Sequence, residues 1–309
     1  MIGYHYTSAE AIRSICGSKS LRFTDTEYLN DALEMKVCAD VFCEAWTQAM
    51  KDLGEARASR IGVFGSGEEL AHAVAAEPYA DVDLDFLNPL DLCRYRNYVF
   101  CCSEAADDAG MWLRYASKNE AKYCLEIKVD GLVSELNRLL RPLGVSVFFG
   151  KTIYQREDQI AVLRRLIDET ICRLETSDSD CDRPSEIAWR EGEWADDLVE
   201  SVRRVRALFK QQGYISEREM RVVLRVPNSF QGCLDSDQIL RTEVGVGPRD
   251  ILVPYAYVGF AERISEIVCG IQVFHPDEPS LVEAGLRRLL EECNLSCIST
   301  SCSKVKLRW

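Results

Sequence analysis

Short apolar runs and helical periodicities alternate irregularly along the chain. Residues 2–6 read as a short strand, and Thr7-Ser8-Ala9-Glu10 follows as a capping box, a hydroxyl with a carboxylate three positions on. The helix that it opens places Ile12 and Ile15 on one face and ends near Gly17; residues 20–23 can extend again. Leu33, Val37, Val41, Phe42, Ala45 and Trp46 then recur at helical spacing up to about Met50. Strands are expected over 98–102, 123–129, 145–154, 220–226, 251–255 and 264–271, with a helix start over 111–116 and β-like segments over 296–307. Ile160, Leu163, Leu166, Ile167 and Ile171 predict a long helix over 157–175; a Ser/Asp-rich loop follows at 177–184, then a second helical run over 185–212. Another helix is expected over 281–293. This irregular mixture predicts an α+β fold, with mixed or antiparallel short-stranded sheets flanked by helices, rather than a repeating βαβ array. Motifs on both sides of the helical pair predict one domain over 1–309, with 155–212 as a helical insertion or lobe.

Charge and cysteine content narrow the classes. Fifty acidic against 37 basic side chains give a net charge of −13, which disfavours sequence-independent binding to nucleic acid without excluding a local basic patch. The candidate patch is Arg203, Arg204, Arg206, Lys210, Arg218, Arg221 and Arg225. The chain has 14 cysteines but no CxxC, and Cys293, Cys297 and Cys302 lack a fourth nearby ligand, so core thiols are expected and no metal. The start of the chain shows no secretory pattern, and no uncharged apolar stretch approaches the ~18 residues of a membrane helix. A cytoplasmic, non-membrane protein is the expectation. The glycine-rich stretch 62–67 lacks a following Lys-Ser/Thr and is a poor phosphate loop.

Four ordered segments carry a resemblance. They are Tyr4-His5-Tyr6-Thr7-Ser8 with Leu21-Arg22-Phe23-Thr24; Tyr28-Leu29-Asn30-Asp31-Ala32-Leu33-Glu34; Cys101-Cys102-Ser103-Glu104 with Met111-Trp112-Leu113-Arg114-Tyr115-Ala116; and Glu217-Arg218-Glu219-Met220-Arg221. Together they resemble the bacterial domain-of-unknown-function family 2971. Cys102 stands where that family usually has Phe, and Lys306 where it tends to have Pro. More remotely, the early His-Tyr-Thr, the middle Tyr and the late Glu resemble ADP-ribosyltransferases of the His-Tyr-Glu type.

That resemblance implies NAD as a substrate, cleaved at the nicotinamide–ribose bond, with an unknown protein or small molecule as acceptor, or water. An oxocarbenium-like state of this kind is stabilised by a nearby carboxylate. His5 would bond a ribose, Tyr115 (or Tyr98) would stack on nicotinamide, and Glu219 would hold a ribose hydroxyl, with Glu217 activating the acceptor. Tyr6, Thr7, Trp112, Arg221, Asn30 and Ser103 complete the expected nucleotide-contacting set. On an extended strand Glu217 and Glu219 would share a face. The expectation for Glu219 is ionisation at neutral pH, Arg221 outweighing burial, and little loss of stability on Glu219→Gln. Each residue also has a structural reading: Asn30 as a helix cap, Trp112 and Tyr115 as core, the two glutamates as partners of neighbouring arginines. The alternatives are a non-catalytic nucleotide-binding or regulatory module, and a thiol hydrolase using Cys101 or Cys102 with His5 as base.

Overall fold

The computed structural model describes residues 1–29, 34–60, 67, 70–71, 74, 95–114, 120–178, 193–228, 230, 239–247 and 251–306. Among them the chain forms an α+β fold around one 10-stranded sheet. Its strands are β1 (Ile2–Ser8), β2 (Ser20–Asp25), β3 (Tyr95–Ser103), β4 (Lys122–Lys128), β5 (Ser146–Lys151), β6 (Glu219–Pro227), β7 (Leu240–Val246), β8 (Leu252–Gly259), β9 (Val268–Phe274) and β10 (Ser299–Cys302). The order is β10-β9-β4-β1-β3-β2-β8-β7, and β6 and then β5 branch from β3. All pairings are antiparallel except β9 with β10.

The branch is what makes a cleft. One edge of β3 pairs with β6 along its whole length, from Tyr95↔Pro227 to Ser103↔Glu219. The opposite edge is shared by two strands that diverge: β1 meets it at Tyr4↔Ser103, β2 at Thr24↔Val99 and Asp25↔Tyr98. Phe100, Cys101 and Cys102 lie between those two contacts, where the sheet splits.

Strand alternation assigns the faces. Phe100 and Cys102 of β3, and Met220, Val222 and Leu224 of β6, point into the main core with Leu21, Phe23, Leu125 and Ile127. Helices α1 (Ala9–Ser18), α5 (Val129–Leu140) and α9 (Pro279–Glu292) close that core through Ile12, Leu132, Leu136, Leu286 and Leu290. Val99 and Val223 face the other way, against Ala207 and Leu208. A second core joins α2 (Glu34–Leu53) to α6 (Arg156–Asp178) and α7 (Glu193–Arg206) through Val41, Phe42, Trp46, Leu163, Ile167, Leu198 and Val202. Short helices also occur: α3 (Glu55–Arg60), α4 (Ala109–Arg114) and α8 (Ile264–Ile267).

Several local expectations change. The cap of α1 is Ser8, whose Oγ accepts from Ala11 N at 3.3 Å, while Thr7 stays in β1; the box is one residue out of phase. Residues 264–267 form a helical turn before β9 rather than extending it. Helix α5 and strand β7 are additional elements. Of the glycine-rich stretch, all but Gly67 lies outside the described residues, as does the loop at 179–184.

Candidate functional site

A cavity of about 680 Å³ occupies the split. Its lining includes His5, Thr7 and Ser8 from β1, Arg22 and Thr24 from β2, Cys101 and Ser103 from β3, Glu217 before β6, Glu219 at the start of β6, and Tyr255 and Tyr257 from β8.

His5 sits at the divergence point. Its Nδ1 donates to the Cys101 carbonyl at 2.7 Å, and its ring stacks on Phe100 with centroids 4.4 Å apart. The imidazole thus caps a carbonyl on the edge of β3 between its contacts with β1 and β2. Burial lowers its pKa; the carbonyl bond opposes this, and the Arg22 charge adds to the lowering. The ring is neutral at pH 7, with the proton on Nδ1. Nε2 has no hydrogen-bond partner among the described residues and is an acceptor.

The carboxylates form a buried ionic network. Glu217 does not lie on the strand. It ends a 3₁₀ turn (Gln212–Glu217), and Arg218 adopts a left-handed conformation, φ 45°, before β6 begins at Glu219. The shared-face argument therefore does not apply; the two side chains meet because Lys210 draws them together. Lys210 Nζ lies 2.7 Å from Glu217 Oε2 and 2.6 Å from Glu219 Oε2. Arg221 Nε bonds Glu219 Oε1 at 3.0 Å, and Arg114 pairs with Glu217. Burial pushes the Glu219 pKa up, but the charges of Arg221 and Lys210 outweigh it and bring the carboxyl to about 2. Glu219 is ionised at neutral pH although only 7% exposed. Its backbone N–H donates to Tyr154 Oη at 2.8 Å, which fixes the start of the strand.

The remaining expected residues divide. Ser103 is buried and holds the turn together: its Oγ donates to the Glu217 carbonyl at 2.6 Å and accepts from Ala105 N at 3.0 Å. Tyr6 lines the cavity, but its hydroxyl is engaged by the Ala105 carbonyl and Asp108 N. Trp112 is fully buried between Tyr6 and Phe274, with Nε1 on Asp107 at 2.8 Å, and is not brought to the cavity. Tyr98 is buried in the main core. Arg221 reaches the site through Glu219, and its Nη1 donates to the Ala207 carbonyl at 2.8 Å. Asn30 and Tyr115 lie outside the described residues.

Most of the basic stretch is turned inward, with Arg204 and Arg218 its exposed members. Arg203, Arg206 and Arg221 are buried, Arg206 pairs with Glu27, Arg225 pairs with Glu200, and Lys210 is spent on the two glutamates. These cations join the helices to the sheet. The cysteine pair is also poorly suited to nucleophilic work. Burial first, then the Glu219 charge, pushes both the Cys101 and Cys102 thiols up, and His5 engages a carbonyl rather than sulfur.

Lys210, Arg114, Arg22, Tyr255 and Tyr257 were not among the expected site residues. Arg22 and Arg114 stand inside motif segments and Lys210 inside the basic stretch, but none of these patterns pointed to the cleft; in the structure Arg22 is the exposed position between Leu21 and Phe23, both fully buried. Among the described residues no helix is long and apolar enough to cross a membrane, and no group of three or more His, Cys, Asp or Glu side chains could hold a metal ion. Comparison of the chain with protein-family profiles, curated proteins and solved structures finds no match.

Proposed function

We propose that the cleft binds NAD and cleaves its nicotinamide–ribose bond, passing ADP-ribose to an acceptor or to water. The observation that carries this reading is a pairing. A carboxylate kept ionised while buried, Glu219, lines the same cavity as a neutral histidine with an unengaged Nε2. In the proposed step the C1′–N bond breaks and neutral nicotinamide leaves. Glu219 accepts from a ribose hydroxyl and stabilises the positive charge that develops on the sugar. His5 Nε2 accepts from another ribose hydroxyl. The acceptor's O–H or N–H forms the new bond to C1′, and its proton passes to Glu217. Lys210 and Arg221 hold the carboxylates in place.

One feature favours the non-catalytic alternative: the Lys210 ammonium neutralises Glu219 from 2.6 Å. Quantifying nicotinamide after incubation with NAD separates the two. Turnover should be detectable, and Glu219→Gln should lower it by ~10²-fold or more. The double variant Glu219→Gln/Lys210→Gln, which removes the excess positive charge left by the first change, should stay equally inactive with a better-preserved melting curve. Binding of NAD with no nicotinamide released would favour the nucleotide-binding module.

A further inference from the structure

The wall of the cavity opposite the carboxylates has a different chemistry. Arg22 on β2 stacks its guanidinium over the Tyr255 ring at 4.4 Å, with Tyr257 as its cross-strand neighbour. Register explains the cluster, since Arg22 is directly opposite Tyr257, and Tyr255 lies two residues along β8. On the next strand Arg241 lies over the other tyrosine, Tyr257, at 4.9 Å and pairs with Glu243 at 3.2 Å. Arg241 is thus neutralised. Arg22 forms no ion pair among the described residues, in a chain whose acidic side chains outnumber its basic ones by 50 to 37.

The other charges around the cavity do not cancel it. Glu217 and Glu219 are matched by Arg114, Lys210 and Arg221. Among the described residues, Glu10, in the first turn of α1, is the remaining acidic group on the lining. Arg22 is close enough to His5 for its charge to depress the imidazole's protonation, so both residues address one ligand volume.

We propose that Arg22 is the phosphate-binding residue of this cleft, and that it takes the diphosphate of a nucleotide whose sugar reaches His5 and the carboxylates. Tyr255 backs one face of the guanidinium, and Tyr257 flanks it across the strand pair. The N–H fork is pre-organised, so little side-chain freedom is lost when it closes on two phosphate oxygens. A lysine would supply the charge without the fork. A cavity of about 680 Å³ falls within the usual range for small-molecule sites. The inference rests on the proposed function for the placement of the sugar, but does not require turnover.

The probe is ADP, which lacks nicotinamide, titrated calorimetrically into the full chain at low salt, with adenosine as a second ligand. Wild type should bind ADP more tightly than adenosine, and Arg22→Ala should weaken ADP by about tenfold to a hundredfold while leaving adenosine unchanged. Arg22→Lys should recover only part of the loss. Arg22 is exposed and outside both cores, so an unchanged melting curve should accompany these effects. Equal ADP affinity in wild type and Arg22→Ala, equal affinity of wild type for ADP and adenosine, or no ADP binding at all, would each overturn the assignment. ADP binding that depends on Arg22, with no release of nicotinamide from NAD, would leave the phosphate site standing and remove the transferase reading.

Discussion

Glu219 shows how a buried charge is kept. Its carboxylate has left water, and what holds it ionised is a guanidinium and an ammonium within hydrogen-bonding distance. Removing that charge leaves two buried cations, Lys210 and Arg221, with one carboxylate fewer to balance them. The expectation from sequence, that Glu219→Gln would cost little stability, therefore reverses: we expect a loss of about 3 kcal/mol, typical of breaking a buried pair, measured by urea denaturation. Asp25 has the opposite sign. Burial, barely offset by the Glu27 N–H and by Arg96 at 3.7 Å, raises its pKa to about 6, with Glu27 adding and Arg206 opposing. The folded state binds a proton that the unfolded chain has lost, so this group costs stability as pH rises from about 4 to about 6, with no further loss above. Asp25→Asn should raise the melting temperature at pH 7 and flatten that slope. The depressed Glu219 contributes stability that is complete above the ordinary carboxylate range and disappears as pH falls toward about 2.

At the scale of elements, the strands were legible where apolar residues ran together, as in β3 and β6, because a strand covered on both faces reads as a continuous apolar run. The helix α5 was missed for a local reason. Gly131 and Asp130 open it with poor helix formers directly after a β-rich stretch, although Leu132, Leu136 and Leu140 keep a spacing of four and are all fully buried. Leu136→Ala should cost about 2–5 kcal/mol, checked by thermal unfolding. Strand β7 was missed because Val244 and Val246 are exposed at the edge and Gly245 interrupts them. The site was legible only in part, for a related reason. His5 and Glu219 carry recognisable chemistry, whereas Lys210 acquires its role from the chain reversal after α7 and from the bridge Ile153↔Phe209, which no local pattern encodes.

For the whole molecule, the ties between helices and sheet are mostly buried and charged. Arg206 reaches Glu27, Arg225 reaches Glu200, Arg221 donates to the Ala207 carbonyl, and Asn97 donates to the Arg203 carbonyl. These links predict that the two cores unfold together. Trp46 and Trp194 report on the helical core and Trp112 on the sheet. Variants that retain fluorescence from one region only should give coincident urea midpoints. The sheet itself spans the sequence: β3 depends on β6, and β4 on β9. A fragment of residues 1–150 should therefore show no cooperative transition in calorimetry.

The place where β1 and β2 part on β3 has a mechanical meaning. A sheet that divides along one strand resembles a plank with a crack, and the tip of that crack is closed by one hydrogen bond, His5 Nδ1 to the Cys101 carbonyl. Stress concentrates at such a tip. Without the imidazole the carbonyl would lose its partner, a penalty of ~1–3 kcal/mol, and the opening would run further along the strand before neighbouring pairings arrested it. In His5→Ala, amide exchange should accelerate at Val99 and Ser103, the flanking residues that still bridge to β2 and β1, and hardly at all at the far end near Tyr95. A ligand wedged into the gap would act as a rivet and slow exchange at those same two amides, so their protection gauges how wide the crack stands.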